Sequence, residues 1–139
     1  MNDKSGAAPS LRVTAAVLER EGKVLVARRR AGLRSAGLWE FPGGKLEEGE
    51  DPAVGLEREL AEELGIRAQV EGFLCAVPYL GPGLALELLV YRAVHISGEL
   101  RPVDHDAVLW LEPAEMDESA FTEPDRPVVR LLRAHKAGR

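Results

Sequence analysis

Runs of apolar positions divide the chain into segments with the patterns of strands and helices. LRVTAAVLER (11–20) and KVLVARRR (23–30) are rich in branched apolar residues and are separated by the turn-forming pair Glu21-Gly22. This pattern predicts a β-hairpin. Three later segments predict further strands: RAQVEGFLCAVPYL (67–80) and LALELLVYRAVHI (84–96), joined by Gly-Pro-Gly, and the shorter AVLWLEP (107–113).

Two other segments have the start and stop signals of helices. Asp51 is a good N-cap, Pro52 suits the first helical position and Gly65 is a typical stop, so residues 52–64 are predicted to be helical. DRPVVRLLRAHK (125–136) predicts a closing amphipathic helix, and residues 31–50 are interpreted as a loop. A strand-rich chain with two main helices predicts a helix–sheet–helix sandwich, because each helix must bury its apolar stripe against the sheet.

Length and composition indicate one globular domain. The chain has 139 residues, of which 45% are hydrophobic and 29% charged, enough to bury a single core. Residues 1–10 are small and polar without periodicity, so we expect a disordered tail there and a single domain over residues 11–139.

Charge and hydropathy exclude several classes of function. A net charge of −5 disfavours a nucleic acid polymer as partner. The most apolar region, around residues 72–94, is interrupted by proline, glycine and charged residues, so no membrane span is predicted. The lone Cys75 and the absence of a signal-type leader favour a cytoplasmic location. The pattern leaves the oligomeric state open between monomer and homodimer.

Negative charge is concentrated before and along the first predicted helix. Eight acidic side chains and one arginine lie between Glu47 and Glu63. Glu59, Glu62 and Glu63 share one side of the helix, and each like-charge pair at that spacing costs about 0.2–0.5 kcal/mol. A hard divalent cation such as Mg²⁺ would relieve this repulsion, and the close backbone approach that Gly43-Gly44 allows could add a main-chain carbonyl as a further ligand. The alternative is a solvated acidic face that serves solubility.

The same segment resembles the signature box of the Nudix hydrolases. The match consists of Gly44, Glu50, Arg58-Glu59-Leu60, Glu62-Glu63 and Gly65-Ile66 at the family's spacing. LWEFPGGKLEEGE (38–50) is similar to the entry to the box in MutT-type members, which hydrolyse nucleoside triphosphates. The resemblance implies an α/β/α sandwich with a mixed β-sheet. It also implies dependence on Mg²⁺ or Mn²⁺ and release of nucleoside monophosphate and pyrophosphate.

The resemblance also implies roles for individual residues. Glu59, Glu62 and Glu63 resemble the metal ligands, with the Gly43 carbonyl as a further ligand and Glu50 in the same acidic pocket. Arg58 resembles the arginine that orients a box glutamate. Glu59 is the first choice for the general base and Asp104 the alternative, although Asp104 also fits a polar loop that caps a strand.

Residues outside the box are candidates for substrate contacts. Arg28 and Arg29 are expected on opposite faces of their strand, and we favour Arg29 for the phosphates, with Lys45 and Arg34 as helpers. Phe41 is a candidate for stacking on a base.

Asp125 lies where related enzymes read the base, and an ionised aspartate there would only accept hydrogen bonds. This leaves 8-oxo-dGTP and CTP or dCTP as competing substrates, and Asp125 also fits a helix cap. The alternatives to triphosphate hydrolysis are cleavage of another nucleoside diphosphate conjugate, such as ADP-ribose, and a non-catalytic nucleotide-sensing module.

Overall fold

The computed structural model describes residues 11–137 and contains two α-helices and seven strands over that range. The helices are α1 (Pro52–Leu64) and α2 (Arg126–Ala137). The strands are β1 (Leu11–Arg20), β2 (Lys23–Arg29), β3 (Trp39–Glu40), β4 (Gly43–Lys45), β5 (Arg67–Gly81), β6 (Leu84–Ser97) and β7 (His105–Leu111). Three single turns of 3-10 helix precede α2, at Pro113–Glu115, Glu118–Ala120 and Glu123–Asp125. The expected tail at residues 1–10 lies outside the described residues.

The ends of α1 follow the local signals in the sequence. The Asp51 carboxylate accepts hydrogen bonds from the backbone N–H groups of Ala53 (3.1 Å) and Val54 (3.2 Å), which have no partner inside the helix. Gly65 ends the helix in the left-handed region at φ 72°, where a side chain would be strained. The helix therefore begins and ends where the sequence predicts.

The strands form one mixed sheet in the order β3-β2-β1-β6-β5. β1 runs parallel to β6, whereas the other pairings are antiparallel. β2 pairs with β1 only next to their connecting turn and then continues along β7, while β4 pairs with the first half of β1. The hairpin strands therefore separate, and the space between their far ends becomes available to other elements.

A helix covers each face of the sheet. Along β1 the side chains alternate, so that Ala16 and Leu18 pack in one core with Leu56, Leu60 and Leu64 of α1. Ala15 and Val17 pack in the other core with three residues of α2, namely Val128, Val129 and Leu132. This arrangement confirms the predicted α/β/α sandwich with a mixed sheet.

The segment interpreted as a loop contains two short strands, so that part of the prediction is wrong. Trp39 and Glu40 pair with β2, and Gly43 to Lys45 pair with β1. Two- and three-residue strands are too short to produce a periodic pattern, which explains why the sequence does not reveal them. Their pairing fixes the two glycines at the start of the box inside the sheet.

None of the helices in the described range is long and apolar enough to cross a membrane.

Candidate active site

Arg58 lies among the carboxylates of the acidic segment. Its Nε and one terminal nitrogen donate to the two oxygens of Glu50 at 2.7 and 2.9 Å, and its other terminal nitrogen donates to Glu59 and Glu62, both at 3.1 Å. The hydrogen bonds from Arg58, followed by one from the Glu47 backbone N–H, lower the pKa of Glu50 to about 2. These carboxylates raise the pKa of Arg58 in turn. One guanidinium group thus contacts three of the crowded carboxylates, and its single positive charge offsets only part of their negative charge.

Glu59 is the most enclosed of the carboxylates that Arg58 contacts on α1. Its side chain is 14% exposed, and burial raises its pKa, with further contributions from the charges of Glu62 and Glu50. The carboxylate rests against the backbone of Gly44, where a Cβ atom would overlap it. The glycine therefore allows Glu59 to lie directly against β4.

Glu63, near the end of α1, and Asp104, in the loop before β7, form a second pair of neighbouring carboxyl groups. Burial raises the pKa of Glu63, and the hydrogen bond to Asp104 and the charges of Asp104 and Glu59 raise it further. The Val103 backbone N–H donates to the Glu63 carbonyl at 3.0 Å, which holds the loop before β7 against the helix. The structure therefore places Asp104 beside the box, and not in a remote loop.

The carboxylates of Glu59 and Glu63 are suitable ligands for a divalent cation, although the side chains do not surround a preformed metal site. Across residues 11–137, no three Asp, Glu, His or Cys side chains converge as a ready metal site. Burial and nearby carboxylates raise the pKa values of Glu59 and Glu63, so their ionised forms are disfavoured unless a cation lies close to them. Hard carboxylate oxygens are the ligands that Mg²⁺ and Mn²⁺ prefer. Both oxygens of Glu50, in contrast, already accept hydrogen bonds from Arg58.

A cavity of about 690 Å³ opens between the separated ends of β1 and β2. Its walls include apolar side chains, the backbone of Gly43 and Gly44, and polar groups from the segment before α2. Four of the predicted substrate contacts line it, namely Arg29, Lys45, Phe41 and Asp125, and so does the predicted helper Arg34. Phe41 also stacks on Phe121, with ring centroids 5.4 Å apart, so it belongs to the core as well as to the cavity.

Arg28 lies apart from the cavity walls that the described residues form. Its Nε donates to Asp106 at 2.7 Å, and its guanidinium lies over the ring of Trp39, 5.6 Å from the centroid. Arg29 instead donates to both carboxylate oxygens of Glu40 at 3.2 Å. Only one of the two arginines therefore faces the cavity, as the alternation of side chains along the strand predicts.

Asp125 is almost fully buried at the cavity wall. The residue is 5% exposed, and its carboxyl group accepts a hydrogen bond from the Thr122 hydroxyl at 2.6 Å. Burial raises the pKa of Asp125 to about 8, against the opposing effect of the Thr122 bond. At neutral pH the group is therefore mostly protonated and can donate as well as accept, which differs from the expected ionised acceptor.

Three residues of the site were assigned no role of their own from the sequence: Glu40, His105 and Thr122. Glu40 lines the cavity and joins Arg29 to His105, whose Nε2 lies 2.8 Å from the Glu40 carboxylate. Glu40 lies in the segment that resembles the MutT-type entry, and this location was the one available signal. His105 directly follows the candidate Asp104, and Thr122 lies three residues before its partner Asp125, whereas the contact between His105 and Glu40 joins residues that are 65 positions apart.

Similarity to known proteins agrees with this geometry. The model of the NUDIX domain family matches residues 9–132. The CTP pyrophosphohydrolase of Escherichia coli (strain K12) is 36% identical over 129 residues, 93% of this chain and 96% of that protein. The putative 8-oxo-dGTP diphosphatase 2 of Mycobacterium tuberculosis (strain H37Rv) is 38% identical over 118 residues, 82% of each chain.

A solved structure gives the same result for the fold. The crystal structure of a MutT NUDIX hydrolase from Burkholderia pseudomallei superimposes with a TM-score of 0.79 at 29% identity, covering 88% of this chain and 98% of that one. The family model covers most of the chain, and the sandwich fold matches what the resemblance implied. The chain therefore belongs to the Nudix hydrolase family, whose members cleave phosphoanhydride bonds, and is similar to its MutT-type members.

Proposed function

We propose that the protein is a metal-dependent pyrophosphohydrolase that converts a nucleoside triphosphate and water into a nucleoside monophosphate and pyrophosphate. One observation carries the proposal. Gly43 and Gly44 line the cavity, and the Glu59 carboxylate lies against Gly44. A nucleotide whose base enters the cavity would thus place its phosphates at the acidic helix.

The cavity supplies groups for both ends of such a substrate. Leu86, Leu88 and Phe41 offer apolar surface to a base, and the Asp125 carboxyl lies at the same wall. Arg29 and Lys45 offer positive charge for phosphate oxygens, and Arg34 reaches the same space. A guanidinium group binds phosphate through paired hydrogen bonds, whereas the lysine acts as a point charge.

We assign the metal to Glu59, Glu62 and Glu63 with the Gly43 carbonyl, and favour Mg²⁺ with Mn²⁺ as a substitute. When bound, the ion would neutralise phosphate oxygens and lower the pKa of a bound water. Glu50 and Arg58 would hold Glu59 and Glu62 in place through their ion pairs. Glu59 remains the first candidate for accepting the proton of the attacking water, and Asp104, beside Glu63, is the alternative.

The first experiment replaces the proposed ligands without changing their size. Glu63→Gln and Glu62→Gln should each lower kcat with Mg²⁺ by at least about 10²-fold, since the charge that holds the ion is lost. Glu57→Gln is the matched control, because Glu57 lies on the same helix but accepts from the Val70 backbone N–H, away from the cluster. Unchanged turnover in both ligand variants would rule out the proposed metal site.

Identifying the base that the enzyme prefers requires a comparison of several nucleoside triphosphates. Comparing kcat/KM for 8-oxo-dGTP, CTP, dCTP and 5-methyl-dCTP gives the ranking, because specificity is a ratio of those constants. If Asp125 reads the base, the ratio between cytosine and guanine nucleotides should change between pH 6 and pH 9 in the wild type and stay constant in Asp125→Asn. A ratio that does not depend on pH in the wild type would reject this role.

A further inference from the structure

His105 is a buried side chain with an unusual hydrogen-bonding state. Its side chain is 5% exposed, and Nε2 lies 2.8 Å from an oxygen of Glu40. Nδ1 is buried and has no partner among the described residues. Since an ionised carboxylate only accepts, Nε2 carries the hydrogen and donates it to Glu40.

An irregularity in the sheet puts the ring in this position. Along β2 and β7 the register shifts at Arg28 and Arg29, so that Arg28 faces Ala107 and Arg29 faces His105. The skipped residue, Asp106, bonds instead to Arg28 at 2.7 Å. Irregularities of this kind re-aim side chains beside functional sites. Here the irregularity separates the partners of the two arginines and sets His105 opposite the arginine of the cavity.

Glu40 connects His105 to the cavity. Its two oxygens accept from Arg29 at 3.2 Å, and the Nε of Arg29 donates to the Arg34 carbonyl. Arg29 and Glu40 both line the cavity, whereas His105 is not among the lining residues in the described chain. The imidazole thus holds Glu40 from behind the cavity wall.

The simpler explanation is that His105 only fills space in the core. A ring that served packing alone would gain nothing from leaving Nδ1 buried without a partner, because an unpaired buried polar atom costs free energy. The Nε2 bond to Glu40 is the interaction that offsets this cost. The hydrogen-bond chain from His105 through Glu40 to Arg29 therefore points to a role at the cavity.

We propose that His105 is a positioning residue for substrate binding: it fixes the Glu40 carboxylate, and through it the Arg29 guanidinium, in the conformation that receives the nucleotide. The proposal rests on the proposed function in one respect, namely that a nucleotide occupies this cavity. It adds a residue that touches neither substrate nor metal but determines how well the cavity is preorganised.

Two amide variants separate positioning from packing. The amide nitrogen of glutamine reaches about as far as Nε2, whereas that of asparagine ends near Nδ1. His105→Gln should keep KM for the best triphosphate of the panel within about twofold of the wild type. His105→Asn should raise KM by about tenfold with little change in kcat, because the loss is in preorganised binding and not in the chemical step. If the asparagine variant does not fold, His105→Leu takes its place with the same expected result.

A second measurement needs no substrate. In ¹⁵N-labelled protein, the Arg29 Nη1 hydrogens, which donate to Glu40, should exchange slowly with water in the wild type and in His105→Gln, and fast in His105→Asn or His105→Leu. Equal KM values for the glutamine and asparagine variants, or equal Arg29 exchange in all of them, would overturn the proposal. An inactive wild type with this exchange pattern would count against the proposed function alone, since the exchange reports positioning of Arg29 without turnover.

Discussion

Arg58 holds three carboxylates of one segment through a single guanidinium group. The sequence predicts the repulsion among these acids and assigns its relief to a metal ion. In the structure, Arg58 bonds to both oxygens of Glu50 and lowers its pKa, whereas the pKa values of Glu59 and Glu63 are raised. A cation bound at Glu59 and Glu63 would offset the burial and the neighbouring negative charges that raise these pKa values.

Replacing either of the two glycines of β4 by alanine adds a methyl group, and we expect the two replacements to have different effects. At Gly44 the new Cβ meets the end of the flexible Glu59 side chain, so Gly44→Ala should displace that carboxylate and lower kcat/KM by roughly 10²-fold while the unfolding midpoint stays near wild type. At Gly43 it meets the backbone of Thr14, so Gly43→Ala should lower the free energy of unfolding by about 1–3 kcal/mol.

Gly72→Ala is the control for both, because nothing lies within contact distance of a Cβ there. Steady-state kinetics and thermal unfolding on the three variants check the prediction. If Gly44→Ala had full activity, Glu59 would not need its place against β4.

Asp125 makes stability depend on pH. Its folded-state pKa of about 8 lies above its ordinary value of 3.8, so the native state binds the extra proton between these values. The contribution of Asp125 to the free energy of unfolding is therefore fully present below about pH 4. It falls as the pH rises through this window, by at most about 1.4 kcal/mol per pH unit. Denaturant unfolding from pH 5 to pH 8 should show this decline in the wild type relative to Asp125→Asn. Parallel curves for the two proteins would contradict the assigned protonation.

Among the elements, α1 is the one that the sequence predicts best. Its N-cap, first proline and terminal glycine are local signals, and the structure confirms both ends. β3 and β4 are held by pairing with β2 and β1, which are distant in the chain, and their few residues give no periodicity of their own. The missed elements are therefore those that depend on tertiary contacts.

The N-cap of α1 gives a prediction for element stability. Asp51→Ala removes the acceptor of two backbone N–H groups and should lower the free energy of unfolding by about 1 kcal/mol. Asp51→Asn keeps an acceptor oxygen and should retain most of the stability. Chemical denaturation of the two variants measures the difference, and equal loss in both would show that the carboxylate acts through its charge alone.

At the scale of the molecule, the sandwich could be predicted because the number and order of long apolar segments constrain how layers form. The cavity could not be predicted, because it exists only where β1 and β2 separate and where residues before α2 reach the sheet. The box indicates which residues bear the chemistry, whereas Glu40 and His105 contact each other only because folding brings together residues 65 positions apart.

The central claim is that the carboxylates of α1 act with a divalent ion on a triphosphate held in the cavity. The most direct test follows phosphorus-31 NMR spectra of CTP or 8-oxo-dGTP with the wild-type protein, with Mg²⁺ and with a chelator. The account predicts nucleoside monophosphate and pyrophosphate in equal amounts, only with the metal. Release of orthophosphate, or equal turnover in the chelator, would contradict it.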